Sequence, residues 1–186
     1  MNNDELIIQT PAPADYIDLG MGNPDINLLP ENSLQRATER VFAKGMRASL
    51  QYGTEQGNGY LRDSLAIFLT TSFDEKVGAD SLFISTGSSS ALDLLSTLYT
   101  RPGDTVFVEE PTYFLALRIF ADHGLNVVSI PIDDAGLCLD ALEEKLKERQ
   151  PKLLYTIPTF QNPSGYTLSL ERRKKLIDLA EKYNFL

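Results

Sequence analysis

Cysteine and histidine are almost missing from this chain, which has one of each, Cys138 and His123, among 186 residues. A single cysteine excludes a disulfide framework and a cysteine-based zinc site. A lone histidine is far more often an ordinary residue near a helix end than a metal ligand or the partner of a catalytic serine. We therefore predict no metal site.

Long hydrophobic runs and a surplus of positive charge are also missing. No apolar stretch reaches the roughly 18–20 residues that span a bilayer, so we expect no membrane association. The net charge is -9, and the sequence has no basic stripe of the kind that binds nucleic acid, so we expect no nucleic-acid partner. The one basic run, residues 172–175, is interpreted as a solvated helix face. The acidic start has no signal-peptide core, which makes the cytoplasm the expected location.

What the sequence does have is a regular alternation of short apolar runs and helical patterns. Residues 1–50 read as an arm followed by a first helix, predicted from Glu31 to Lys44, and residues 51–186 begin with a helix over 59–73. Four pairs follow: SLFIST with SSALDLLSTLYT, DTVFVEE with YFLALRIFADHG, LNVVSIPI with LDALEEKLKER, and KLLYTIP with LERRKKLIDLAEKY. This order predicts an α/β protein, a three-layer αβα fold with a mainly parallel sheet.

Ligands of parallel sheets bind where the strands end, so the loops after the strands are the candidate sites. In the first loop, residues 85–92, Gly87 allows a tight turn and three serines open a helix. Unpaired N–H groups at a helix start attract anions, and Ser88 and Ser89 add hydroxyl donors. The loop is either a phosphate cup or a set of serines that serve only as helix caps. It lacks the ending of a Walker loop.

The second loop is EEPTYF, residues 109–114. Neighbouring residues in a strand point to opposite faces, so Glu109 and Glu110 are interpreted as solvated or capping carboxylates rather than a catalytic pair. Thr112 is a candidate cap for the following helix. Tyr113 lies near the proposed cup and either packs in the core, which is the favoured reading, or stacks on a planar ligand.

The third loop, within YTIPTFQNPSG, follows the last predicted strand. Pro158 and Pro163 restrict its backbone and so lower the entropy lost in holding Asn162 in place. The Asn162 amide either reaches a ligand oxygen or satisfies its own turn. Each loop alone is a weak signal. A phosphate cup, an aromatic ring and a fixed amide at three strand ends together fit a flat phosphorylated cofactor.

Five segments resemble the fold-type-I pyridoxal-phosphate enzymes, and among these the class I/II aminotransferases of the aminoadipate and aromatic branch. The segments are GMGNPD, LQYGTEQGNGYLRDSLAIFL, TGSSSALDL, PGDTVFVEEPTYF and IPTFQNPSG. The resemblance runs from about Asp18 to Leu186. It implies transfer of an amino group from an amino acid to a 2-oxo acid with pyridoxal 5'-phosphate. It also implies that residues 51–186 are the N-terminal part of the cofactor-binding large domain.

The resemblance further implies roles for individual residues. Gly87, Ser88 and Ser89 would hold the cofactor phosphate, although this branch often has glutamine at the place of Ser89. Tyr113 would stack on the pyridine ring. Asn162 would donate a hydrogen bond to the phenolic oxygen of that ring and lie beside the substrate.

Two further implied roles involve the first part of the chain. Gly22 would lie near the substrate carboxylate. Tyr52 would reach the cofactor phosphate of the neighbouring subunit, which implies a homodimer with shared sites.

The family also needs a lysine that joins the cofactor, usually in a Ser-x-x-Lys stretch. None of the eight lysines here follows a serine at that spacing. We therefore expect the N-terminal half of an aminotransferase, inactive alone, with no catalytic residue of its own. The alternatives are a pyridoxal-phosphate lyase or synthase on the same scaffold, the aminotransferase-like sensor domain of a transcription regulator, and a remnant that binds no cofactor.

Overall fold

The computed structural model describes residues 15–17, 22, 24–45 and 47–186. The chain divides into two compact units, Met1–Gly53 and Thr54–Leu186. In the described part of the first unit, helix α1 spans Glu31–Ala43. Short 3₁₀ turns lie at Ile26–Leu28 and Arg47–Leu50. The domain boundary that we place between residues 50 and 51 stays a prediction.

The second unit holds the alternating elements that the sequence predicts, with one 3₁₀ turn at Ala79–Ser81. Its helices are α2 (Gly59–Phe73), α3 (Ser88–Tyr99), α4 (Phe114–Asp122), α5 (Leu139–Glu148) and α6 (Leu170–Tyr183). Its strands are β1 (Thr105–Glu110), β2 (Asn126–Asp133), β3 (Gly136–Leu137) and β4 (Leu153–Tyr155). Of the helices in the described ranges, none has the length and apolar character needed to cross a membrane.

The four strands form one sheet in the order β3-β2-β1-β4. The central strand β1 runs parallel to both β2 and β4, whereas β3 is a short antiparallel addition at the edge. The predicted α/β class with a mainly parallel sheet is confirmed.

Side-chain alternation along β1 sends its residues into two separate cores. Val106 and Val108 pack with Phe120 of α4 on one face. Phe107 packs on the other face with residues of α5 and α6, among them Leu142. Burying each of these side chains contributes roughly 1.5–3 kcal/mol. Helices therefore cover both faces of the sheet, as the predicted three-layer arrangement requires.

Local signals place the helix ends correctly. The Asn58 side chain caps α2 by accepting from Leu61 N at 3.1 Å. Ser169 caps α6 by accepting from Arg172 N at 3.3 Å. Gly124 follows α4 with a φ of 66°, the left-handed conformation that ends many helices.

The first predicted strand, SLFIST, is not a strand in the structure. Leu82 is extended, with φ -104° and ψ 133°. The run has no ladder partner among the described residues, although Ile84 N donates to Gln56 O at 3.0 Å. An extended run becomes a strand only beside a neighbour with unpaired backbone groups. Both edges of β1 are taken by β2 and β4, and the outer side of β4 bonds to Leu186, whose N–H donates to Lys152 O at 3.1 Å.

The interpretation of residues 172–175 as a solvated face is wrong for the two arginines. Arg172 binds both carboxylate oxygens of Asp133, at 2.6 and 2.8 Å, and also donates to the Gly136 and Leu137 carbonyls. Its hydrogen bond lowers the pKa of Asp133. The planar fork of a guanidinium suits several acceptors at once, so a charge run on a helix can fasten neighbouring loops.

Candidate functional site

The start of α3 has the features of an anion cup. Gly87 is its N-cap residue, with a φ of 100° and no side-chain cap hydrogen bond. The Ser88 and Ser89 hydroxyls form no hydrogen bond within the described part of the chain, whereas Ser85 donates to Gly87 O at 3.1 Å. A side chain built on Gly87 would meet nothing within 4 Å. The serines therefore do not act as helix caps, and the space before the helix is open to a ligand.

A cleft of about 60 Å³ joins this cup to the loop after β1. Ser88 and Ser89 line it on one side, and Tyr113 and Tyr155 line it on another. Tyr113 is half-buried against the core on this face of the sheet, with its ring 5.4 Å from that of Phe114. It therefore packs on the core, which was the favoured alternative, and also lines the cleft. Stacking on a planar ligand stays a prediction.

Tyr155 is a member of this cleft that the sequence reasoning missed. It ends β4, pairs in register with Val108, and meets the Phe120 ring edge-on at 5.9 Å. Burial raises the pKa of its phenol, and the charge of Glu109 and the neighbouring Tyr113 raise it further. The sequence offered one signal that Tyr155 lines a site. It is a tyrosine at the end of a buried strand, and its hydroxyl needs a polar environment.

The raised pKa of Tyr155 predicts a pH-dependent contribution to stability. Since folding disfavours the ionised phenol, its contribution is complete below the ordinary tyrosine pKa of about 10 and is lost as the pH rises through the folded value. The free energy of unfolding of wild type, minus that of Tyr155→Phe, should therefore decrease as the pH rises above 10. Urea titrations at neutral and alkaline pH measure it. A difference that stays constant or grows with pH would contradict this prediction.

Asn162 lies in the turn after β4, and its side chain is exposed. Its amide forms no hydrogen bond with any described residue. Gln161 satisfies the turn instead, since its Oε1 accepts from Ser164 N at 2.9 Å. Asn162 does not line the cleft itself. The Asn162 loop is linked to the cleft through Gln161, whose Nε2 donates to Pro111 O at 2.7 Å. Pro111 lies two residues before the cleft residue Tyr113.

Gly22 and Tyr52 lie in the first unit, and the structure does not test their implied roles. A side chain built on Gly22 would meet nothing within 4 Å, and the Tyr52 ring is exposed. Both roles stay predictions.

Glu109 corrects our interpretation of the acidic pair. Its carboxylate is buried, with 2% of the residue exposed, rather than solvated. It accepts hydrogen bonds from Thr156 Oγ1 at 2.6 Å, Ile157 N at 3.1 Å and Gln161 Nε2 at 3.1 Å. Glu110 points away and is exposed. The donors come from a loop distant in sequence, so the strand pattern alone could not reveal them.

Thr112 also differs from expectation, because it does not cap α4. The N-cap residue is Tyr113, which offers no side-chain acceptor. The Thr112 hydroxyl is buried without a hydrogen-bond partner among the described residues. The helix begins one residue later than a threonine cap would require.

Two larger depressions lie elsewhere, and each contains a pair of charged side chains that contact each other. One, of about 390 Å³, lies at the starts of α5 and α6, where Lys175 contacts Asp140 at 3.2 Å. The other, of about 480 Å³, lies at the ends of α3 and α4, where His123 contacts Asp93 at 2.8 Å. Neither has the unpaired hydroxyls and the aromatic wall of the small cleft.

A mainly parallel sheet between helices, with a helix start open beside its strand ends, is typical of α/β proteins that bind ligands at that edge. Residues 14–186 match the family described as aminotransferase class I and II. The chain belongs to this family. It is 39% identical over 178 residues to aromatic-amino-acid aminotransferase 1 of Thermococcus litoralis, an alignment that covers 93% of this chain and 43% of the relative.

Solved structures give the same result. The chain resembles the kynurenine aminotransferase of Pyrococcus horikoshii in complex with PMP, with a TM-score of 0.83 and 38% identity, over 89% of this chain and 42% of that one. An uncharacterized HTH-type transcriptional regulator of Bacillus subtilis, YisV, is 31% identical, with 96% of this chain and 36% of the relative covered. The chain thus spans less than half the length of these relatives.

Proposed function

We propose that this chain supplies the cofactor-phosphate side of the active site of a pyridoxal-phosphate-dependent aminotransferase, which moves an amino group from an amino acid to a 2-oxo acid. The observation that carries the proposal is the cleft that Ser88, Ser89 and Tyr113 share. Family membership indicates the reaction class, and the cleft indicates which part of the cofactor these residues would hold, namely its phosphate.

The residues of the cleft fit the phosphate end of pyridoxal phosphate. Gly87 leaves room for close approach, and α3 directs its unpaired N–H groups and the positive end of its dipole toward the opening. The hydroxyls of Ser88 and Ser89 are available as further donors, and the Tyr113 ring forms an apolar wall. When bound, the cofactor supplies the electron sink that stabilises negative charge on the substrate.

The other residues of the proposed site orient and complete it. Asn162 would donate to the phenolic oxygen of the cofactor, and such a bond to a charged oxygen contributes roughly 1.5–3 kcal/mol. By the family resemblance, Gly22 would lie beside the substrate carboxylate, and Tyr52 would reach the cofactor phosphate of the neighbouring subunit of a homodimer. We further propose that the protein acts in the cytoplasm.

Exposed apolar side chains on α2 and α3 support an assembly larger than this chain. Phe68 and Phe73 of α2 and Leu98 of α3 are each more than half exposed, at 64%, 69% and 65%. Apolar groups exposed in such numbers are typical of interaction surfaces. A neighbouring subunit and the remaining segments of an aminotransferase are the partners that we propose for them.

The test of this proposal is cofactor binding by the full polypeptide that carries the chain, with Asn162→Ala as the diagnostic variant. Wild type should bind pyridoxal phosphate, visible as an absorbance band after gel filtration. Loss of the donor destabilises the charged phenolic oxygen, so the apparent pKa of the bound cofactor should rise by about 1–2 units. An absorbance titration measures the shift.

A matched control is Asn126→Ala. The Asn126 amide donates one hydrogen bond within the protein, to Gly103 O at 2.6 Å, and it lies at the amino end of β2, away from the cleft residues. It should leave the cofactor titration unchanged. An unshifted titration in Asn162→Ala with cofactor still bound would remove Asn162 from the site, and a wild type that binds no cofactor would refute the proposed function.

The similarity to an uncharacterized transcriptional regulator supports a second candidate, a sensor domain with an aminotransferase-like fold. The two functions differ in turnover. A transaminase converts a 2-oxo acid to an amino acid when given an amino donor, whereas a sensor binds cofactor and ligand without forming product. Measuring product with a mixture of amino donors separates them.

A further inference from the structure

The Glu109 carboxylate is a buried anion held by the loop between β4 and α6. No lysine, arginine or histidine forms an ion pair with it among the residues that the structure describes. Its three donors come from Thr156, Ile157 and Gln161, all within six residues of one another. A carboxylate only accepts hydrogen bonds, through two oxygens. Glu109 therefore holds the whole start of this loop against the end of β1.

Gln161 extends this hold to the residues around Asn162. Its Nε2 donates both to Glu109 and to the Pro111 carbonyl, and its Oε1 accepts from Ser164 N. Its backbone N–H donates to Tyr166 O at 2.8 Å, and its carbonyl accepts from Gly165 N at 2.5 Å. Gln161 is 3% exposed. Every polar group of this residue is engaged, while the next residue, Asn162, has an exposed and unbonded amide.

We propose that Glu109 and Gln161 are positioning residues that fix the Asn162 amide relative to the Tyr113 ring. This inference rests on the proposed function. The same Gln161 amide binds the Glu109 carboxylate, on the next-to-last residue of β1, and the carbonyl two residues before Tyr113. The ring that stacks on the cofactor and the amide that binds its oxygen are thereby fastened to one rigid support, so neither needs ordering when the cofactor binds.

The negative charge of Glu109 is essential to this arrangement. A glutamine at position 109 has nearly the same shape but presents one acceptor oxygen and an amide that donates. The Ile157 N–H and the Gln161 amide both approach the same carboxylate oxygen, Oε2, at 3.1 Å. In Glu109→Gln the new amide can face Thr156, whose hydroxyl then accepts instead of donating, but the bonds from Ile157 N–H and Gln161 go to a neutral oxygen. These bonds lose the strength that a charged acceptor gives, and the loop should loosen.

Hydrogen exchange on the full polypeptide tests the first half of the proposal without any cofactor. In Glu109→Gln, the amides of Gln161, Ser164 and Gly165 should exchange about tenfold faster or more than in wild type, because loss of the anchor opens the loop locally. The amide of Ile130 in β2 should not change. Glu110→Gln is the matched control, since the same change is made at an exposed neighbour.

Pyridoxamine 5'-phosphate affinity tests the second half, because this ligand binds without a covalent bond to lysine. Glu109→Gln and Asn162→Ala should each weaken binding about tenfold. If Glu109 acts through Asn162, the double variant should also be only about tenfold weaker than wild type. If Glu109 had a purely structural role, the two losses of affinity would multiply, and the double variant would bind about a hundredfold more weakly than wild type. Glu110→Gln should bind as wild type does.

The outcomes separate this inference from the proposed function. A wild type that does not bind pyridoxamine phosphate overturns both. A wild type that binds, with independent effects of Glu109→Gln and Asn162→Ala or with unchanged exchange in the loop, overturns only the positioning role. If Glu109→Gln fails to fold, Gln161→Ala replaces it in both experiments, since this variant removes the bridge and leaves Glu109 with two donors.

Discussion

Replacing Gly136 with alanine is expected to lower the free energy of unfolding by about 2–5 kcal/mol. Gly136 begins β3 with a φ of 91°, a conformation that strains any residue with a Cβ atom. A Cβ there would also lie 2.9 Å from Leu168 Cα and 3.0 Å from Leu168 Cδ1. Leu168 is a buried core residue, and its Cα cannot rotate away. The change therefore combines backbone strain with a collision against the core.

Gly103→Ala is the control that separates these two effects. Gly103 has almost the same φ, 92°, but a Cβ built on it meets nothing within 4 Å. Gly103→Ala should lower the free energy of unfolding only by the backbone strain, about 1–2 kcal/mol. Urea titrations of both variants measure the difference. Equal losses would mean that the β2–β3 hairpin moves away from Leu168 at little cost, and that the contact does not fix its position.

Predictions that depend on short stretches of sequence agree well with the structure. The order of helices and strands after residue 100, the Ser169 cap and the Gly124 helix end each follow from residues close together in the chain. Such signals arise from backbone geometry and side-chain periodicity, which neighbours in sequence determine. The prediction of a strand at SLFIST was wrong, because pairing with a neighbour, rather than apolar character, decides whether an extended run becomes a strand.

The site could be predicted only in part, for a physical reason. Gly87, Ser88 and Tyr113 could be chosen as candidates because strand ends and helix starts have local sequence signals, and the structure brings Ser88 and Tyr113 to one cleft. Their roles toward a cofactor stay predictions. Glu109 was misread because its donors Thr156 and Gln161 lie 47 and 52 residues away in the chain. A buried carboxylate and a solvated one look alike in a strand pattern. What distinguishes them is the partner, which only the fold brings near.

The two loops that Glu109 joins also explain why the apolar run before Asn162 stops so early. The strand β4 pairs with β1 over three residues only. Beyond Tyr155 the backbone turns toward the Glu109 carboxylate, which takes the Ile157 N–H that a ladder would otherwise use. Arg173 holds the far side of the loop through the Leu168 carbonyl at 2.8 Å, Thr159 Oγ1 at 2.8 Å and the Pro158 carbonyl. An anion and a cation thus hold the loop from opposite sides.

A negative charge introduced at the anion cup should affect binding and stability in opposite directions. Ser88 is the first residue of α3. In Ser88→Asp the new carboxylate lies at the positive end of the helix dipole, which should stabilise the helix by about 0.3–1 kcal/mol. The same carboxylate repels a bound phosphate. Two unit charges 4 Å apart interact by about 4 kcal/mol near a protein surface, so affinity for pyridoxamine phosphate should fall by at least about a hundredfold.

Ser90→Asp is the matched control for this experiment. Ser90 lies in the same first turn and therefore near the same dipole, but it is about 200° around the helix from Ser88 and does not line the cleft. Its charge should change affinity only about twofold, because distance and salt weaken the repulsion. Calorimetric titration gives the affinities, and thermal melting shows whether each variant is at least as stable as wild type.

Affinity and melting temperature together distinguish loss of phosphate binding from loss of the fold. A Ser88→Asp protein that melts at or above the wild-type temperature and no longer binds has lost the phosphate and kept the fold. A Ser88→Asp protein that binds as tightly as wild type would place the phosphate outside the cup. Equal losses in Ser88→Asp and Ser90→Asp would show that the field of the helix end attracts the ligand without direct contact at Ser88. In that case the hydroxyls of Ser88 and Ser89 would not be ligands of the phosphate.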